Sequence, residues 1–251
     1  MDTFTPPTIT HTMANPDGER DPQALLGLLW LASPALPLGG FSYSEGLESA
    51  VEAGRVHDEA SAAQWLLAQL HLTQARADLS VVAQALPAWR ARDWTTLLTL
   101  NAWTRRTRES AELRLQSEQM GHAVLHWLQG LRPHTLPDPG LDEVPAALQP
   151  PTYPVAYAWA LATLTPNTLP TAHALLAAGF AWCEAACQAA VKAVPLGQNA
   201  GQRLLAQLRA ALPAAVHVAL SQPPGQRQCF APMLAILSAR HETQYSRLFR
   251  S

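Results

Sequence analysis

Thr171-Ala172-His173-Ala174-Leu175-Leu176-Ala177-Ala178-Gly179-Phe180-Ala181-Trp182-Cys183-Glu184-Ala185-Ala186-Cys187-Gln188-Ala189-Ala190-Val191-Lys192 is the stretch that decides the fold of this chain. It holds no proline, confines its β-branched residues to its two ends, and is built from strong helix formers. Leu175, Leu176, Phe180, Trp182 and the alanines surround the axis, which predicts a helix buried in a core. Its small residues let neighbouring helices approach closely. The longest uncharged apolar run within it, from Ala174 to Cys183, is half the length of a membrane span, so no such span is expected.

The same composition extends in both directions. No stretch alternates apolar and polar residues over strand length, and Leu, Ala, Gln and Arg dominate. The chain therefore reads as all-α, a single-domain helical bundle of roughly ten helices. Towards the C-terminus, further helices are predicted over 198–220 and 231–240. Asp21 followed by Pro22 is a cap with proline in the first turn, which opens a helix to about Ala32. Gly39-Gly40 turns the chain, and Ser42-x-x-Glu45 has the form of a capping box starting a helix that runs to about Ala53. Asp58 caps the next helix, and others are expected over 76–91, 93–104, 108–131 and 153–164. Between them, residues 132–151 carry six prolines and read as a linker or surface excursion. Residues 1–24 read as a disordered lead-in, 25–240 as the helical domain, and 241–251 as a separate tail.

Composition excludes several function classes. The net charge is −2 with 14% charged residues, which leaves no basic field for nucleic acid. Three cysteines without a CxxC spacing suggest neither a disulfide framework nor a zinc site. No signal peptide is visible, and a cytoplasmic location is expected. With 48% hydrophobic residues and few charges, the surface must expose apolar area, which favours complexes. No Walker loop, GxSxG elbow or HExxH occurs, so no catalytic residues, cofactor or metal ligands are assigned.

The candidate site residues are partner contacts. Phe41 and Tyr43 sit on the Gly39-Gly40 turn, either as interface anchors or as core rings. His122 and His126 are four apart on a face continued by Arg114 and Glu118, the pattern of a solvated polar stripe. Cys183 and Cys187 share a spacing of four on the apolar helix and read as inert thiols. Lys192 is the only lysine, at the C-terminal end of that helix, where it can complement the helix dipole.

The last residues, Arg240-His241-Glu242-Thr243-Gln244-Tyr245-Ser246-Arg247-Leu248-Phe249-Arg250, combine basic groups with an apolar trio. As a helix, Tyr245, Leu248 and Phe249 would form one stripe with Arg240, Arg247 and Arg250 off it. The segment is too short to fold alone and reads as a tail ordered by docking on something else. Deleting it is expected to spare the fold.

This tail resembles the ending of the urease accessory protein UreF family. Leu31 to Glu48, with its core Gly39-Gly40-Phe41-Ser42-Tyr43-Ser44-Glu45-Gly46-Leu47-Glu48, is similar to that family's N-terminal motif. Val191-Lys192-Ala193-Val194-Pro195-Leu196-Gly197-Gln198-Asn199 resembles its VK-x-VP segment. Glu112-Leu113-Arg114 and Gln119-Met120-Gly121 sit where the family has an ELR…MG-like helix. The likeness spans roughly residues 25–251. It implies an all-α, non-catalytic accessory protein that dimerises, binds UreD (also called UreH), and recruits and regulates the GTPase UreG for nickel insertion into the urease apoprotein. A helical metallochaperone that binds nickel directly is the alternative. On this resemblance the partner-binding set is Phe41, Tyr43, Lys192, Gln198, Arg240, His241, Glu242, Tyr245, Arg247, Leu248 and Phe249.

Overall fold

A computed structural model describes residues 21–131 and 144–250, apart from the Phe41 side chain. Among these residues there are ten α-helices and no strand. The expected lead-in lies outside them up to residue 20. The first helix, α1 (Pro22–Leu31), starts as read: the Asp21 carboxylate accepts from Gln23 N at 2.9 Å, and Pro22 occupies the first turn.

The next element departs from the capping-box expectation. Gly40–Ser42 is a single 3₁₀ turn, and α2 (Leu47–Glu52) begins only after Gly46, which has a φ of 75°. Glu45 itself has a φ of 50°, the left-handed region. Its carboxylate is taken by tertiary donors instead of by the helix start, so the local signal is overridden.

From Glu59 to Ala91 the chain is one uninterrupted helical run. It comprises α3 (Glu59–Gln69), a π-helical segment (Leu70–Asp78) and α4 (Leu79–Ala91), where two separate helices are expected from sequence. No glycine or proline interrupts residues 59–86. Within the segment the Thr73 hydroxyl donates to Gln69 O at 2.7 Å, using a carbonyl of the ordinary α ladder. The remaining helices are α5 (Trp94–Thr107), α6 (Ala111–Leu131), α7 (Tyr153–Leu164), α8 (Thr171–Ala193), α9 (Gln198–Ser221) and α10 (Pro232–His241).

The most enclosed helix is α7 rather than α8, correcting the expectation for 171–192. Every residue from Pro154 to Leu161 is buried, among α1, α4, α5 and α6. The reason is compositional: α7 is apolar all round, whereas α8 carries His173, Glu184 and Lys192. Trp159 of α7 stacks on Trp89 at 4.7 Å, and the Trp89 indole donates to Val155 O at 2.9 Å. The Tyr157 hydroxyl donates to Leu31 O, satisfying a carbonyl at the end of α1.

The small residues of α8 act as read. A side chain at Gly179 would place its Cβ 2.4 Å from Leu212, and α8 and α9 pack most extensively on each other. Both are long and apolar enough to cross a membrane by length and composition alone. In this fold they contribute Leu175, Cys183, Leu204 and Leu212 to the same core cluster as α1 through α7.

Residues 132–143 of the expected linker lie outside the described residues. In the remainder Ala146, Ala147 and Gln149 are exposed, as a surface excursion would have them, but the segment is also tied to the body. Leu148 is buried, and Asn101 of α5 donates to Leu148 O and Pro150 O while accepting from Thr152 N at 2.7 Å. One buried side chain thus satisfies the polar backbone of a proline-rich stretch.

Candidate docking site

The tail is ordered on its own chain, not as a helix awaiting a partner. Past His241 it forms turns, and the apolar trio does not make a stripe. Phe249 is 6% exposed and joins the core, Leu248 is 62% exposed, and Tyr245 projects fully into solvent. The cause is a polar cluster whose members are separated by up to two hundred positions.

His241 stands at its centre, with a side chain that is completely buried. Its Nδ1 lies 2.9 Å from Glu112 Oε2, and its Nε2 lies 3.1 Å from Glu48 Oε2. Glu112 also accepts from the Arg247 guanidinium at 3.0 Å. Arg247 further donates to the carbonyls of Glu242 and Gln244, so its guanidinium supports the tail from beneath. Glu242 accepts from Ala111 N at 2.9 Å and Glu112 N at 3.4 Å, completing the open donors at the start of α6. Ser110 and Ser238 share a hydrogen bond of 2.7 Å behind them. The deletion expected to spare the fold would therefore remove two enclosed side chains.

Local geometry explains how Glu48 reaches this place. The left-handed turn at Gly46 lets α2 press on α10, where a Cβ would meet Leu234 Cδ1 at 2.9 Å. Only glycine accepts both that φ and that approach without strain. Glu48, in the first turn of α2, then lies under the tail.

Tyr43 is buried at 8% exposure, and its hydroxyl donates to Gln119 Oε1 at 2.6 Å. Burial raises its pKa above the usual phenol value, an effect that the neighbouring Arg250 opposes. Of the two readings, the core ring holds for Tyr43. The Arg250 amide also donates to Ser42 O at 2.8 Å, which pins the end of the tail to the 3₁₀ turn. The backbone of Phe41 belongs to that turn, while its side chain lies outside the described residues.

Lys192 and Gln198 are brought elsewhere. Both are exposed, Lys192 in the last turn of α8 and Gln198 as the first residue of α9. Arg240 is exposed on the last turn of α10. The structure thus gathers Tyr43, His241, Glu242, Arg247 and Phe249 and leaves Lys192 and Gln198 apart. Sequence reasoning missed Glu48 and Glu112 as the anchors. The available signal was their position inside two of the quoted motifs.

A cavity of about 1110 Å³, counting its open mouth, opens against Tyr43 and Glu45. Glu45, Gln74, Asp78, Gln116, Met120 and Tyr153 line it and also a smaller adjoining one. Glu45 is half-buried by surface area, but its carboxylate is held among protein atoms. It accepts from Trp182 Nε1 at 3.0 Å and Gln116 Nε2 at 2.9 Å. Desolvation raises its pKa above 4.5, and these two hydrogen bonds offset only part of the rise. A raised acid contributes stability at low pH and loses it as pH climbs through the folded value. Glu45→Gln should therefore flatten the decline in urea midpoint from pH 4.5 towards neutrality. An unchanged slope would refute this assignment.

Cys183 and Cys187 are buried, with thiols pushed up to about 12 by burial, as inert thiols should be. His122 and His126 lie on an exposed face of α6. Among the described residues, no group of three or more His, Cys, Asp or Glu side chains is placed to hold a metal ion.

These features define a class: an all-α protein whose polar centre secures a chain terminus to the body. The sequence matches the UreF family model over residues 56–209. It is 53% identical over 238 residues to the urease accessory protein UreF of Polaromonas sp., covering 95% of this chain and 99% of that protein. Identity to the urease accessory protein UreF of Paracidovorax citrulli is 56% over 244 residues, 95% of each chain. For that of Methylibium petroleiphilum it is 59% over 228 residues, 90% of this chain and 94% of the relative. The chain belongs to the UreF family of urease accessory proteins.

Proposed function

We propose that this protein is a non-catalytic scaffold of urease maturation whose docked tail is a contact surface for UreD. On this reading it dimerises, works in the cytoplasm, and recruits and regulates UreG so that nickel reaches the urease apoprotein. The observation that carries the reading is the division of the tail: Phe249 is anchored in the core while Tyr245 and Leu248 stand exposed above it. A tyrosine ring, a residue type enriched at interface hot spots, and an apolar neighbour held on a fixed backbone bind at low entropic cost. The tail at 241–251 is then part of the helical body and not a separate unit. Lys192 and Gln198, at the α8–α9 junction, are assigned to a second contact, with UreG or a second copy.

The direct metallochaperone reading would require a tight donor set. Equilibrium dialysis of the isolated protein with nickel tests it, and stoichiometric tight binding would favour it over the scaffold.

For the scaffold, Tyr245→Ala combined with Leu248→Ala should weaken UreD binding by about 2 kcal/mol or more, roughly thirtyfold. Thermal stability should stay within about 0.5 kcal/mol of the parent, because both side chains already face solvent. Titration calorimetry against UreD is the measurement. Unchanged affinity would remove the tail from the interface.

A further inference from the structure

We propose that Glu48 is the positioning residue of this docking surface, and that its carboxylate, more than the tail's own sequence, sets which tail side chains face outward. The inference rests on the reading of Tyr245 and Leu248 as the partner contact.

Glu48 collects three donors from the C-terminal segment and also faces a ring nitrogen of His241. Its Oε1 accepts from Leu248 N at 2.7 Å and from Gln244 Nε2 at 3.5 Å. Its Oε2 accepts from Phe249 N at 2.9 Å and faces His241 Nε2 at 3.1 Å. Two successive backbone amides converging on one anion form the concave donor arrangement that proteins use to grip carboxylates and phosphates. Here the anion is supplied by the chain itself, two hundred positions earlier. Once both amides are committed to Glu48, the side chains of residues 248 and 249 must diverge. Phe249 enters the core and Leu248 faces solvent, as observed. The tail alone codes for no such division, since its spacing favours a helix with all three apolar residues on one side.

The acceptor must also be charged and of this length. An ionised carboxylate offers four lone-pair sites and no hydrogens, whereas an amide would turn an NH₂ group towards one of the donors. Glu48 is 13% exposed, so water does not readily replace it.

The test is a double-mutant cycle on UreD affinity, with Glu48→Gln as one arm and Tyr245→Ala plus Leu248→Ala as the other. Hydrogen exchange at the Leu248 and Phe249 amides is read in parallel. Glu48→Gln should weaken UreD binding about tenfold or more and raise exchange at those two amides by a similar factor. Far-UV circular dichroism should show the helical body still folded, with a smaller loss of stability than for His241→Ala, because Glu112 keeps both its His241 and its Arg247 contact. Because Glu48 acts through the tail, the combined variant should lose little more than the worse arm, a strong non-additivity.

If the tail double variant binds normally, the partner reading itself fails. If that variant loses binding while Glu48→Gln keeps it, or if the losses simply add, the positioning role is overturned. Should Glu48→Gln not fold, a ligated tail with ester oxygens in place of the Leu248 and Phe249 amide nitrogens leaves every side chain intact. Parental UreD affinity in that protein would overturn the proposal, and a loss of about tenfold would support it.

Discussion

His241→Ala is expected to destabilise the protein by about 3 kcal/mol and to release the tail. The side chain is fully enclosed, with one ring nitrogen on Glu112 and the other on Glu48. Truncation would leave two carboxylates facing an empty space, with Arg247 still paired to Glu112. Removing one partner of a buried polar network costs about 3–5 kcal/mol, because the groups left behind are neither solvated nor paired. The lower end applies because both carboxylates retain other donors, Arg247 on Glu112 and Gln244 with the tail amides on Glu48. Urea denaturation measures the loss, and trypsin cleavage after Arg247 reports release of the tail. A variant as stable as the parent would mean that the cluster contributes nothing net.

The second large effect is expected at Gly121, in the middle of α6. A Cβ there would lie 2.0 Å from Pro151 O and 2.9 Å from Pro151 C. Both are backbone atoms of the segment leading into α7, and Asn101 and Ser117 already hold that segment by hydrogen bonds. The neighbour therefore cannot yield as the end of a flexible side chain could. Gly121→Ala should cost about 3 kcal/mol, at the upper end of the usual overpacking range. Gly130, on the same helix, has open space around it and is the control. Gly130→Ala should instead stabilise by about 0.5–1 kcal/mol, through helix propensity and a smaller unfolded ensemble. Chemical denaturation of the two variants should move in opposite directions. Equal shifts would show that α6 can slide away from Pro151.

Helix content was legible because it depends on local preference. Alanine, leucine and glutamine favour helix in any surroundings, and Asp21, Asp58 and Asp93 each cap a helix start through their own carboxylates. What failed were readings in which a distant group competed with a local one. Ser42-x-x-Glu45 has the spacing of a capping box, yet Trp182 and Gln116 supply better-placed donors for Glu45. The apolar trio of the tail has helical spacing, yet Glu48 takes the amides that a helix would have used. The proline-rich stretch after residue 143 has the composition of an exposed linker. Asn101, with help from Ser117 and the segment's own 3₁₀ turn, meets the hydrogen-bonding need that normally keeps such backbone at the surface.

By itself the sequence determined the fold class, most helix boundaries, the family and the stretches on which function was sought, since each rests on residues near one another in the chain. Only the tertiary structure decided that α7 is the central helix, that three of the four motifs meet, and that the tail is already folded back. Those outcomes depend on which donors and acceptors come within about 3 Å of each other across many turns of chain. Glu48 and His241 are the clearest case: they lie in motifs almost two hundred positions apart, and they become partners only when α2 and α10 pack together at Gly46.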